Sequence, residues 1–120
     1  MRPLAAALLF SLTLAATPGL AAETRCGWLQ NPTPGNWWLD DNQGMWVMRS
    51  QGDEDGPPGM DIIPDISERD YVATNGYYGY ACACMSVETD ASEKKITEIL
   101  SFRQLPLSKC ENDAALTTPQ

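Results

Sequence analysis

The 120-residue chain predicts a mainly β fold, a small antiparallel sheet built from hairpins and stapled by two disulfides. Three observations carry that expectation. Four cysteines follow an apolar N-terminal run. Two of them form Cys82-Ala83-Cys84 inside a stretch of β-formers. Two tight-turn sequences, Asp41-Asn42-Gln43-Gly44 and Asn75-Gly76, each lie between strand-like segments.

The N-terminus opens with Met1-Arg2, continues through an apolar run from Leu4 to Ala16, and ends in small residues around Ala21. A positive residue, an apolar core too short to span a bilayer and a small-residue site describe a cleavable signal peptide over residues 1–21. The expectation is a single exported domain over residues 22–120, periplasmic or secreted. Thr24-Arg25 stands where a lipobox before Cys26 would need a Leu and small residues, so no stable membrane anchor is expected. A domain of about 100 residues buries roughly two thirds of its unfolded surface, which makes covalent staples valuable.

Charge and composition exclude several functions. Without Arg2 the chain carries 7 basic against 16 acidic residues, a net charge of −9. Nucleic acid and anionic lipid are poor partners for such a surface, which leaves basic proteins or cations open as partners. No histidine occurs, which removes Ser-His and Cys-His pairs and imidazole bases.

Along the chain, Cys26 to Asn36 contains two prolines and several turn formers and reads as an extended lead-in. Trp37 to Asp40 and Met45 to Met48 form a hairpin across a type I turn closed by a glycine bulge. That register places Trp38, Trp46 and Met48 on one face and Trp37, Leu39, Met45 and Val47 on the other. The tryptophan rings are read first as the small core, covering the Gly79-Ala81-Ala83 strip, with an exposed aromatic platform as the alternative. Ser50 to Asp70 is acidic and rich in breakers, a mobile surface loop in which Asp65 and Glu68 support one helical turn. Asn75-Gly76 specifies a type I′ hairpin leading into a strand from Tyr77 to Val87. Alternation on that strand separates Tyr78, Tyr80, Cys82, Cys84 and Ser86 from Gly79, Ala81, Ala83 and Met85, a shallow strip that a bulky layer could cover. Ile96 to Leu107 fits a helical stripe or a returning antiparallel strand, and the β context favours the strand. Residues 112–120 are expected to fray.

The cysteines of a small exported chain form a disulfide framework. Extended neighbours Cys82 and Cys84 would hold their Cα atoms about 6.5–7 Å apart, at the upper limit for a bridge, so each reaches a separate partner. With the following turn centred near Ala91-Ser92, Cys82 lies nearer the end of the returning strand, giving Cys82–Cys110 and Cys26–Cys84. A redox Cys-x-Cys is the competing reading, and it would want positive groups that are scarce here. No metal or cofactor is expected: the spacing is not that of a zinc knuckle, and Asp40-Asp41-Asn42 and Asp53-Glu54-Asp55 lack the calcium-loop pattern.

Three segments are distinctive in wording: Cys26-Gly27-Trp28-Leu29 with Asn31-Pro32-Thr33-Pro34 and Asn36-Trp37-Trp38; Thr74-Asn75-Gly76 with Tyr78-Gly79-Tyr80 and Cys82-Ala83-Cys84; and Leu105-Pro106-Leu107 with Cys110. Together they resemble a family of small exported bacterial proteins catalogued only as a domain of unknown function. The resemblance implies a bacterial envelope setting and no activity. The expectation is a non-enzymatic protein-binding module, in the manner of an inhibitor of a basic hydrolase such as lysozyme, with Asp53, Glu54 and Asp55 steering the partner. The alternatives are a glycan-binding module using exposed Trp38 and Trp46, and a Cys-x-Cys thiol-disulfide protein.

Overall fold

The computed structural model describes residue 9, residues 22–53 and residues 55–120. The segment expected to be a signal peptide, apart from that one residue, and Glu54 lie outside the described residues. Among the described residues six strands form one mixed sheet: β1 (Glu23–Asn31), β2 (Trp37–Asp41), β3 (Gly44–Arg49), β4 (Val72–Asn75), β5 (Tyr78–Asp90) and β6 (Lys95–Leu105). Two 3₁₀ turns, Met60–Ile62 and Ile66–Glu68, precede β4, and a short helix α1 (Leu107–Glu111) follows β6.

β5 organises the sheet. One of its edges takes β1, from Glu23 opposite Val87 to Asn31 opposite Gly79. β6 pairs with it from Asp90 back to Cys82, and β4 continues along Tyr78 to Tyr80. Two register shifts between β5 and β6 bend this long pair, as bulges do. The bend lets the strands close in the order β1-β2-β3-β6-β5 and back to β1. Closure between β3 and β6 rests on a single parallel bridge, Val47 opposite Lys95, with the Val47 N–H donating to the Lys94 carbonyl at 2.9 Å. This is a partly open five-stranded barrel of the OB type. The returning strand and both expected disulfides are present, Cys26–Cys84 and Cys82–Cys110.

The barrel interior follows the pleat. Ala81, Ala83, Met85 and Val87 of β5 face inward with Leu29, Leu39, Trp46, Met48, Ile96 and Ile99, and Ile66 plugs one end. Small β5 side chains leave room for the large ones of β2 and β3, which is how a narrow barrel fills without voids. The opposite face of β5 carries Tyr80 and Cys82, which form a second buried cluster with Trp28 and Cys110. Leu107 of α1 and Leu116 pack onto that cluster, so the C-terminal segment, expected to fray, lies against the barrel wall.

Both hairpin registers differ from expectation. Asp41 pairs with Gly44 and Leu39 with Trp46, a two-residue turn at Asn42-Gln43 in place of a glycine bulge. The extra residue sits at the far end, between Trp37 and Trp38. A one-residue change of register exchanges the faces: Leu39 and Trp46 point inward, and Trp38 points outward. In the second hairpin Asn75 pairs with Tyr78, which makes Gly76 and Tyr77 the central residues. Gly76 has φ 60° and Tyr77 does not share a positive φ, the pattern of a II′ turn, not the expected I′.

The segment expected to be a mobile loop is partly built into the barrel. Asp65 caps the second 3₁₀ turn, accepting the Ser67 N–H at 3.0 Å, and Ile66 is 4 % exposed. The Pro58 carbonyl accepts the Ile99 N–H at 2.9 Å. Gly59 has φ 92°, and a Cβ there would lie 1.9 Å from the Ile99 carbonyl oxygen, so glycine is required on both counts.

The two disulfides differ in surroundings. Cys82 and Cys110 are 1 % and 3 % exposed, whereas Cys26 is exposed and Cys84 half-buried. Mild reductant followed by alkylation and peptide mapping should label Cys26 and Cys84 while Cys82 and Cys110 stay protected until the protein unfolds; simultaneous labelling would contradict this packing. Cys110→Ala should lower stability by about 2–4 kcal/mol in denaturant titration. Trp46→Ala should cost about 3–5 kcal/mol by the same measurement, since it leaves a large cavity in the core cluster.

Candidate functional site

The register of β1–β3 lays two cross-strand rows on the outer face. Gln30 pairs with Trp38 and Trp38 with Val47; Trp28 pairs with Asp40 and Asp40 with Met45. Trp28 is 1 % exposed, covered where Leu116 packs, and its indole N–H is buried with no acceptor among the described residues. The remaining members stay accessible: Met45 is 49 % exposed, while Gln30, Trp38, Asp40 and Val47 are half-buried. Next to them Asp40, Asp41, Gly44 and Met45 form one wall of an open cleft of about 450 Å³, and residues 115–120 form the other.

Asp40 is the chemical centre of this face. Gln30 Nε2 donates to its Oδ2, and the Trp38 side chain is also hydrogen-bonded to it. Partial burial raises its pKa above the ordinary 3.8, the two hydrogen bonds pulling the other way. Asp41 points to the barrel end instead, with its side chain 3 % exposed. Arg25 Nη1 lies 2.7 Å from Asp41 Oδ2, and the Trp46 indole N–H donates to Asp41 Oδ1 at 3.0 Å. The Arg25 guanidinium carbon and Lys94 Nζ lie 3.7 and 4.4 Å from the Trp46 ring centroid. These groups seal the barrel end and leave Asp41 no free carboxylate oxygen to turn toward the cleft.

The expected site residues are therefore separated. Trp38 lies on the outer face, but Trp46 is 1 % exposed and offers no stacking surface to a ligand. Its expected place beside Trp38 depended on the glycine-bulge register. Asp53 and Asp55 are exposed in the connection after β3. Asp53 closes a local turn there: its carboxylate accepts the Ser50 N–H, and its carbonyl accepts from Arg49. Neither residue lines the cleft. Gln30 and Asp40 escaped the sequence reading as site residues, because pairing between β1 and β2 unites them; alternation of Trp38 and Asp40 on one strand was the available signal.

A family model described as "Protein of unknown function (DUF4087)" matches residues 20–117. The chain belongs to the DUF4087 family. No curated protein and no solved structure matches it. The family description names no activity, so the chemistry of this DUF4087 domain has to come from its own residues. Its two disulfides suit an oxidising compartment, and among the described residues no helix is long and apolar enough to cross a membrane.

The raised Asp40 pKa gives a pH signature of definite sign. The folded state holds the Asp40 proton more tightly than the unfolded chain, so this group's contribution to stability falls as pH rises from 3.8 through the folded-state value. Asp40→Asn should remove that decline. Melting curves from acidic to neutral pH should show the variant gaining stability relative to the parent across that window; a constant difference would contradict the assignment.

Proposed function

We propose that this protein is an exported, non-enzymatic glycan-binding module whose ligand face is the outer surface of β1–β3. The observation that carries the reading is the Gln30–Trp38–Asp40 group: an accessible indole beside a carboxyl and an amide held in fixed positions by neighbouring strands. A sugar presents a face of C–H bonds to an aromatic ring and hydroxyl groups to paired donors and acceptors, and this set answers both needs. Fold analogy points the same way, since OB-type barrels take oligonucleotides or oligosaccharides on the face of strands 2 and 3. A net charge of −9 for the exported chain disfavours the oligonucleotide.

A binding role is supported over hydrolysis by the charge arrangement. Carboxylate-pair mechanisms require a second acid across the substrate. Asp41, the other acid of the cleft wall, is committed to Arg25 and Trp46. Cys82 and Cys84 are bonded to separate partners, Cys110 and Cys26, so the Cys-x-Cys pair does not form the bridge that an exchanger of that motif would cycle.

A protein-binding role, with a basic hydrolase as partner, rests on the acidic balance and on the exposed Asp53 and Asp55. Association with such a partner would slow as salt rises, because exposed charges steer over about one Debye length.

The test is titration of the exported protein with neutral N-acetylglucosamine oligomers, followed by tryptophan fluorescence and calorimetry. Binding should be present in the parent and weakened about tenfold or more in Trp38→Ala, with the fold intact by circular dichroism. Unchanged binding in Trp38→Ala, or no binding of the oligomers, would overturn the reading; salt-sensitive association with a lysozyme would favour the protein-binding role in its place.

A further inference from the structure

The chain has 16 acidic residues against 8 basic ones, so a surface arginine would ordinarily meet a carboxylate. Arg25 does, bridging Glu23 and Asp41. Arg69 and Arg103 are exposed, and neither takes part in an ion pair among the described residues. Both line one cleft of about 270 Å³ with Ile62, Pro64, Phe102 and Gln104, and no acidic residue lines it.

The fold brings these two arginines together by a specific tie. Arg103 occupies an outer position of β6, opposite Cys84. The next residue, Gln104, donates its amide to the Ile66 carbonyl at 2.9 Å and the Asp70 carbonyl at 3.1 Å. Those bonds hold the segment carrying Arg69 against β6. Acids on the same segment are engaged elsewhere: Asp65 accepts from the Ser67 N–H and hydroxyl, and Asp70 accepts the Leu107 N–H at 2.8 Å. Asp61 and Glu68 are exposed and stand outside the lining. The apolar part of the lining comes from Ile62, 43 % exposed, Pro64, and Phe102, half-buried.

We propose that this cleft binds a monocarboxylate carried on a ring or apolar body, such as a peptide C-terminus or an acidic sugar. Planar guanidinium forks match the two oxygens of a carboxylate, and the apolar lining takes the attached body. The negative field of the whole protein penalises each further charge on a ligand, so one carboxylate is favoured over phosphate or a polyanion. The cleft is distinct from the Trp38 face, and its ligand does not depend on the glycan reading.

The test is an NMR titration of the ¹⁵N-labelled exported protein at low salt with N-acetylphenylalanine, its uncharged amide, glucuronate and inorganic phosphate. The signals of Arg69, Phe102 and Arg103 should shift with N-acetylphenylalanine or glucuronate and stay in place with the amide, the tighter carboxylate naming the source. Arg69→Gln and Arg103→Gln, both at exposed positions, should each weaken binding about fivefold or more, and Arg103→Lys should weaken it less. Trp38→Ala should leave carboxylate binding unchanged, which separates this site from the glycan site. Equal binding of amide and acid, phosphate binding tighter than both carboxylates, a double arginine variant that binds like the parent, or no binding of either carboxylate at millimolar concentration would overturn the proposal.

Discussion

The period-two alternation of β5 is the constraint on which the molecule depends. Its inward residues, Ala81, Ala83, Met85 and Val87, are at most 1 % exposed and form the wall against which Leu39 and Trp46 pack. Its outward cysteines reach in opposite directions along the surface: Cys84 across to β1 and Cys82 to the C-terminal helix. A shift of one residue would carry both cysteines into the barrel and expel the alanines. Core packing, both crosslinks and the covering of Trp28 therefore rest on one register.

Four of the basic residues are divided between two tasks. Arg25 and Lys94 lie over Trp46 and close one barrel end, where Asp41 satisfies both the guanidinium and the indole N–H. Lys94 adopts φ 53°, an unfavourable conformation for a residue with a Cβ, in the turn whose carbonyl meets Val47. Backbone strain at Lys94 is thus joined to the bridge that closes the barrel. Arg69 and Arg103 enter no ion pair among the described residues, and both are exposed.

Strand identity and disulfide pairing were legible in the sequence because both follow from local alternation. Tyr78 to Ser86 repeats faithfully every two residues, and the return through Ile96 to Leu105 places Cys110 near Cys82. The hairpin registers were not legible. In each, one residue more or less in the turn is decided by small backbone preferences that tertiary packing overrides, here the burial of Trp46 beside Leu39. Nor could local patterns reveal that Gln30 meets Asp40 or that Gln104 ties Arg69 to β6, since those contacts join distant segments. The acidic stretch after Arg49 gave a true account of its composition and a false one of its order: Gly59 and Ile66 are held by partners far along the chain.

The seat of Gly59 also bears on how the folded protein meets its neighbours. Beyond the single bridge to β3, the edge of β6 facing the barrel gap would present unpaired N–H groups, and such an edge can recruit a strand from another molecule. The Pro58 carbonyl occupies the Ile99 N–H, and the prolines of this segment cannot donate to extend a ladder. A non-strand segment thus blunts the gap in the barrel. Glycine at position 59 keeps that cover seated: a Cβ there would meet the Ile99 carbonyl oxygen at 1.9 Å and push the Pro58 carbonyl off the Ile99 N–H.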